Sequence, residues 1–319
     1  LWVFDPPSSL SGVHTVTLTD APKGATRIGF GYGVRWSPDH NKIAFASRVD
    51  GSLSVWDQQA RAARVVFRPQ PSPAWLAYMW RADSDALLAT LGYQPQREAA
   101  DVVEVPLSPS PPRTVKKGVV RYLGMDQPAL YADAQHVIIY QGGAPKWLVL
   151  SGQREHELRW PHWAGSEEGE LLPVLGQHTL AATVAREILP GVPRMQCWLF
   201  DFLPGPLALQ PRVLVAEGWE VLSPSADGQK VLLAERPGHF QTQRGLAVWR
   251  ASRRRLERIV VPRECWGLVE SFPGMATFSW SPDSASLAFV VNPDYEHAQR
   301  PEARLLLCGL GGEPTLHRF

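Results

Sequence analysis

The chain has 319 residues, 45% hydrophobic and 20% charged, which supplies a buried core and excludes a disordered polypeptide. With 32 Lys plus Arg against 31 Asp plus Glu, the net charge of +1 excludes the long-range positive field of a nucleic-acid binder. The 26 glycines and 29 prolines predict a chain broken often by turns rather than one of long helices.

Taken from the N-terminus, "LWVFDPPSSLSGVHTVTLTD" at residues 1–20 reads as the third and fourth strands of a four-stranded unit whose first two strands are missing. The next stretch, "VRWSPDHNKIAFASRVDGSLSVWD" at 34–57, holds a full grammar: an apolar strand, a turn at Ser37-Pro38-Asp39, a second strand, a link and a third strand. The proline presets a turn φ angle, and the Asp carboxylate can accept backbone N–H groups just beyond it. The same frame returns as "WRADSDALLAT" around Asp83, "LYADAQHVIIY" around Asp133, "PSADGQKVLLA" around Asp227 and "WSPDSASLAFV" around Asp283, with a degenerate copy, "VLGQHTLAATV", near Gly176. Each Asp therefore reads as structural. Third strands follow at "SLSVWD", "DVVEVPL", "KWLVLSG", "QCWLFDF", "GLAVWRAS" and "ARLLLCGL", and short fourth strands such as "ARVVF" and "RLERIVV" close the units.

A repeat of about 45 residues with four strands describes a β-propeller blade. The expectation is an all-β, single-domain propeller. Full blades fall at 33–67, 74–118, 119–161, 170–215, 218–261 and 274–319, and with the half blade at 1–20 they favour seven blades; six blades with an added N-terminal hairpin is the alternative. The segments near Val34, Met79, Leu130, Val174, Val221 and Phe278 are expected as first strands lining the axis.

"WSPDHNKIAFASRVDGSLSVWD" and "WSPDSASLAFV" resemble the WSPDG-type repeat of the TolB-like, WD40-like propellers. That resemblance implies protein binding in the bacterial periplasm or cell envelope, or service as a propeller domain beside a peptidase. No GxSxG nucleophile elbow accompanies it, so the α/β-hydrolase partner domain is not expected here. His156-Glu157 lacks the second His of an HExxH zinc site, no Gly-rich phosphate loop leads into a helix, and Cys197, Cys265 and Cys308 are too dispersed for a metal knuckle or a disulfide framework. Neither a metal, a cofactor nor a catalytic residue is assigned. No apolar run approaches the roughly 20 residues of a membrane-spanning helix. The chain begins at Leu1, so an upstream leader or anchor is a possibility the sequence leaves open.

In a four-stranded blade, the links between strands two and three and those between blades share one end of the sheets. Length gathers there, at 186–194, 236–244 and 292–304, and binding groups tend to sit on such links. Three blade-to-blade links also combine Trp with carboxylates: Trp163 with Glu167 and Glu168, Trp219 with Glu220, and Trp266 with Glu264. An indole beside negative charge suits a cationic side chain, or a sugar or peptide stacked on the ring. His239, Phe240, Tyr295 and His297 on the long links, and Arg27 and Tyr32 on another part of the repeat, complete the candidate binding set. The resulting expectation is a non-enzymatic scaffold binding a protein or peptide, alone or within a larger complex, with no nucleic acid. The alternative is a channel-mouth lyase or hydrolase acting on a sugar or lactone through Glu167, Glu220, Glu264, His239 or His297, which would require two such groups to converge.

Overall fold

A computed structural model of the chain describes residues 2–3, 12–17, 26–27, 32–47, 50–73, 75–92, 99–120, 129–133, 135–141, 146–152, 154–161, 171–174, 178–189, 192–225, 227–235, 245–259, 278–281, 283–291, 304–310 and 317–318. Every helix or strand among them is a β-strand, as the frequent turns and alternating apolar runs require. They fall into two compact units, Phe30–Gly218 and Leu1–Gly29 with Trp219–Phe319.

The N-terminal strands are β1 (Trp2–Val3), β2 (Gly12–Thr17) and β3 (Thr26–Arg27), and β1 pairs with β3. The unit Phe30–Gly218 then builds four sheets, each an antiparallel meander of consecutive strands. The first holds β4 (Tyr32–Trp36), β5 (Lys42–Ala46), β6 (Leu53–Asp57) and β7 (Ala62–Phe67); the second holds β8 (Trp75–Trp80), β9 (Ala86–Gly92), β10 (Ala99–Pro106) and β11 (Arg113–Val120). The third holds β12 (Ala129–Tyr131), β13 (His136–Gln141), β14 (Lys146–Ser151) and β15 (Arg154–Glu157); the fourth holds β16 (Leu171–Val174), β17 (Thr179–Leu189), β18 (Val192–Leu203) and β19 (Ala208–Glu217). Both faces of the middle strands are covered, which is why β9 is buried at every position instead of alternating. Leu130, Ile138, Tyr140, Trp147 and Val149 of the third sheet pack on Leu180, Ala182, Val184, Phe200 and Phe202 of the fourth.

The other unit holds β20 (Trp219–Pro224), β21 (Lys230–Glu235), β22 (Leu246–Arg250) and β23 (Arg255–Ile259) as a four-stranded sheet. A second sheet is formed by β24 (Phe278–Trp280), β25 (Ser286–Val291), β26 (Arg304–Gly309), β2 and β27 (His317–Arg318), in that order. Leu232, Ala234, Leu246 and Val248 pack on Trp280, Leu287 and Cys308 between these two sheets.

The architecture is an all-β propeller, but the expected blade count does not hold. Among the described residues five blades have four strands, and the remaining strands lie in the five-stranded sheet and the β1–β3 pair, so neither seven blades nor six is observed there. Within residues 1–20 the described strands β1 and β2 lie in different sheets and do not pair with each other. Instead β2 runs antiparallel to β26 from Gly12↔Gly309 to Thr17↔Arg304. The physical reason is edge pairing: β26 would otherwise present a row of unmatched N–H and C=O groups, and β2 satisfies them. Nor is the stretch 186–194 a long loop. β17 and β18 pair from Thr179↔Asp201 to Leu189↔Val192, leaving only 190 and 191 between them.

The Asp turns repeat with the same chemistry. Ser37 Oγ donates to Asp39 Oδ1 (2.5 Å) and accepts the Lys42 N–H (2.9 Å), while Asp39 Oδ1 also accepts the Asn41 N–H (3.1 Å). Ser225 with Asp227 and Ser281 with Asp283 reproduce this arrangement. The turns also join neighbouring sheets: the Asp39 N–H donates to Ser84 Oγ at 3.0 Å, and the Asp227 N–H to Ser284 Oγ at 3.3 Å. Ser84 and Ser284 both adopt left-handed backbone conformations, with φ of 64° and 55°.

A denser lock joins the second and third sheets. Glu104 of β10 accepts Tyr131 Oη (2.8 Å) and Arg81 Nη1 (3.2 Å) on Oε1, and Arg113 Nη2 (2.8 Å) on Oε2. Burial works to raise the Glu104 carboxyl, but the Tyr131 and Arg113 hydrogen bonds and the nearby guanidinium charges outweigh it and hold the group below its ordinary value. Burial, followed by the bond to Glu104, pushes the Tyr131 phenol well above its ordinary range.

These carboxylates define a pH dependence. Burial raises Asp39, Asp83 and Asp227, yet hydrogen bonds from Ser37, Arg81 and Ser225 respectively, with neighbouring backbone N–H groups and cations, bring each below its ordinary value; at Asp283 the Ser281 bond is the largest effect. A folded-state value below the unfolded one means that the folded state binds fewer protons. The stability these groups supply is thus present above the unfolded value and lost as pH falls. The melting temperature is expected to hold steady from neutral pH down to about pH 5 and to decline below about pH 4. Calorimetry across that range checks it; a melting temperature unchanged down to about pH 3 would remove the turn carboxylates from the account.

Candidate binding site

Most of the expected binding residues, Trp163, Glu167, Glu168, His239, Phe240, Glu264, Trp266, Tyr295 and His297, lie outside the described residues. Arg27 falls in β3 opposite Trp2, and Tyr32 opens β4 opposite Ala46. Trp219 and Glu220 begin β20 and are described in full.

Trp219 is 8% exposed and stands opposite Glu235, the last residue of β21. The sheet register carries a third group to the same place: the Arg258 guanidinium of β23 lies 5.7 Å from the centroid of the Trp219 ring, and its Nη2 donates to Glu235 Oε1 at 3.3 Å. Gly245 closes this end of the hairpin, its carbonyl accepting the Glu235 N–H at 2.7 Å. A Cβ at Gly245 would come within 2.7 Å of Glu235 Oε2, so the absent side chain leaves room for the carboxylate. Indole, carboxylate and guanidinium thus meet at the end of the sheet that carries the strand-two-to-three link.

Sequence reading singled out Trp219 but missed Glu235 and Arg258. Neither sits in a link; both are strand residues brought to Trp219 by pairing. Glu220, one residue on, stands opposite Ala234, so strand alternation turns it to the other face.

The enzymatic alternative asks for converging acid and base groups. Asp133 and two imidazoles do converge: His136 Nδ1 is 2.8 Å and His178 Nδ1 3.8 Å from Asp133 Oδ2. Asp133 Oδ1, however, accepts the backbone N–H groups of Gln135 and His136, both at 2.7 Å, and Phe202 packs edge-on against the His136 ring at 5.5 Å. This cluster locks the β12–β13 turn. No group of three or more His, Cys, Asp or Glu side chains among the described residues could hold a metal ion. Cys197 and Cys308 are buried and take part in no disulfide among the described residues, and no helix among the described residues is long and apolar enough to cross a membrane.

No family model matches the chain, and no curated protein matches it. Solved structures do. The chain is similar to an oligogalacturonate lyase in complex with manganese, with a TM-score of 0.61 and 15% identity over 90% of this chain and 80% of that one. It is also similar to TolB from Acinetobacter baumannii, with a TM-score of 0.50 and 13% identity over 88% of this chain and 63% of that one. At such identities both likenesses establish the propeller fold and leave the activity unspecified.

Proposed function

We propose that this propeller is a non-enzymatic interaction module of the TolB-like kind, operating in the periplasm or cell envelope and binding a protein or peptide through the sheet ends that carry its longer links. The observation that supports this reading is the Trp219 site, where an indole and a carboxylate already engage a guanidinium from the same sheet. That chemistry suits a basic side chain of a polypeptide partner: the ring face attracts a cation, and the carboxylate accepts its hydrogen bonds.

Interface energy concentrates in few aromatic anchors, and truncating one costs about 2 kcal/mol or more. Trp219→Ala is therefore expected to weaken a copurifying partner, measured by calorimetric titration of the purified components, by at least about tenfold. A partner bound equally well by wild type and variant would overturn this site. Turnover of a sugar polymer or lactone by the purified protein, lost on substitution of Glu220, would replace the interaction reading with the enzymatic one.

A further inference from the structure

We infer that Arg258 is a built-in, displaceable occupant of a guanidinium site formed by Trp219 and Glu235, and that the partner recognised there presents an arginine side chain which takes its place. The inference rests on the proposed interaction function and deepens it by naming the partner's chemistry and an internal competitor.

The two halves of the contact are held very differently. Glu235 is paired through its backbone with Gly245, and its side chain is 33% exposed. Trp219 is buried and fixed in the β20–β21 ladder. Arg258, by contrast, is 69% exposed, and its hydrogen bond to Glu235 is long at 3.3 Å. Arg250, on the adjacent strand, shows what a committed arginine looks like in this sheet: it is 18% exposed, donates to Glu257 at 2.7 Å and reaches the Leu310 carbonyl. Indole and carboxylate are thus preorganised while the cation is loosely held.

A guanidinium fits this site better than an ammonium. It is planar, so it can stack on the indole while its edge N–H groups meet the carboxylate, and it is more weakly hydrated than an ammonium. An incoming arginine makes the contacts Arg258 gives up, so the exchange needs no new pocket. Arg258, attached to the same sheet, competes at high effective concentration and sets a threshold that only an additionally anchored segment exceeds.

The test uses N-acetylarginine amide as the probe, followed through the indole 1H–15N resonance of Trp219, assigned by its loss in Trp219→Phe. Arg258→Ala, an exposed position whose melting temperature is checked alongside, is expected to bind the probe at least fivefold more tightly than wild type. Adding Glu235→Gln to that variant is expected to abolish the gain, and N-acetylaspartate amide should not shift the resonance. Equal binding of the arginine probe to wild type and Arg258→Ala, or binding to neither, overturns the proposal. With a copurified partner, loss of affinity in Trp219→Ala without any gain in Arg258→Ala refutes the competitor while leaving the interaction function standing; no effect of either substitution removes both.

Discussion

Glu104→Ala is expected to lower the unfolding free energy by about 3 kcal/mol or more, because breaking a buried charged network strands the partners left behind. The Glu104 side chain is 16% exposed and serves Arg81, Arg113 and Tyr131 together. Its removal would leave Tyr131 Oη without its carboxylate acceptor in a residue that is 7% exposed, and Arg81 with Asp83 alone of its two carboxylates. Arg113 is 66% exposed and can turn to water, so its share is small. Urea unfolding measures the loss. Tyr131→Phe, which removes one donor but keeps the ring, should cost only about 1 kcal/mol. Equal losses in the two variants would show that the Tyr131–Glu104 hydrogen bond alone, and not the pairing of Glu104 with the two arginines, carries the contribution.

Gly51→Ala is expected to cost about 3 kcal/mol, combining left-handed backbone strain of about 1–2 kcal/mol with overpacking of a similar size. Gly51 has φ +63°, and a Cβ there would meet Pro73 Cδ at 2.7 Å and Cγ at 2.9 Å. The proline ring cannot swing aside as a flexible side chain would. Pro73→Ala in the Gly51→Ala background should therefore recover the overpacking part, as a double-mutant cycle would reveal. Gly152 provides the control: its φ is +62° but nothing lies within 4 Å of an added Cβ, so Gly152→Ala should cost only about 1–2 kcal/mol. Equal costs at the two glycines would mean that the contact with Pro73 yields freely.

The repeat was legible because its turns are chemically demanding. Ser-x-Asp at 37–39, 225–227 and 281–283 recurs because a hydroxyl and a carboxylate two residues apart satisfy the same backbone groups in each copy. Strand order within each meander followed from those turns. The blade count was not legible, since it depends on where β2 pairs, and a β-strand's sequence specifies its alternation far better than its partner. The stretch at 186–194 read as a loop because Pro190-Gly191 and Pro193 are turn formers, yet the ladder extends to both sides of them. At the candidate site, Trp219 stood out as an aromatic in a link. Glu235 and Arg258 looked like ordinary strand charges until the register of three strands brought them to one indole.

The pairing of β2 with β26 also has a consequence for biosynthesis. Thr17 stands opposite Arg304, so β2 waits, unpaired in that sheet, until the strands between them have left the ribosome. At about 5–20 residues per second that delay is on the order of 15–60 seconds. The meanders between can form as they emerge, whereas the pairing of β2 with β26 and β27 carries the greatest sequence separation among the described strands and the largest loop-closure entropy. Newly made chains are thus exposed to mispairing at β2 and β26 in particular, and a chaperone that shields β2 would guard the step that closes this sheet.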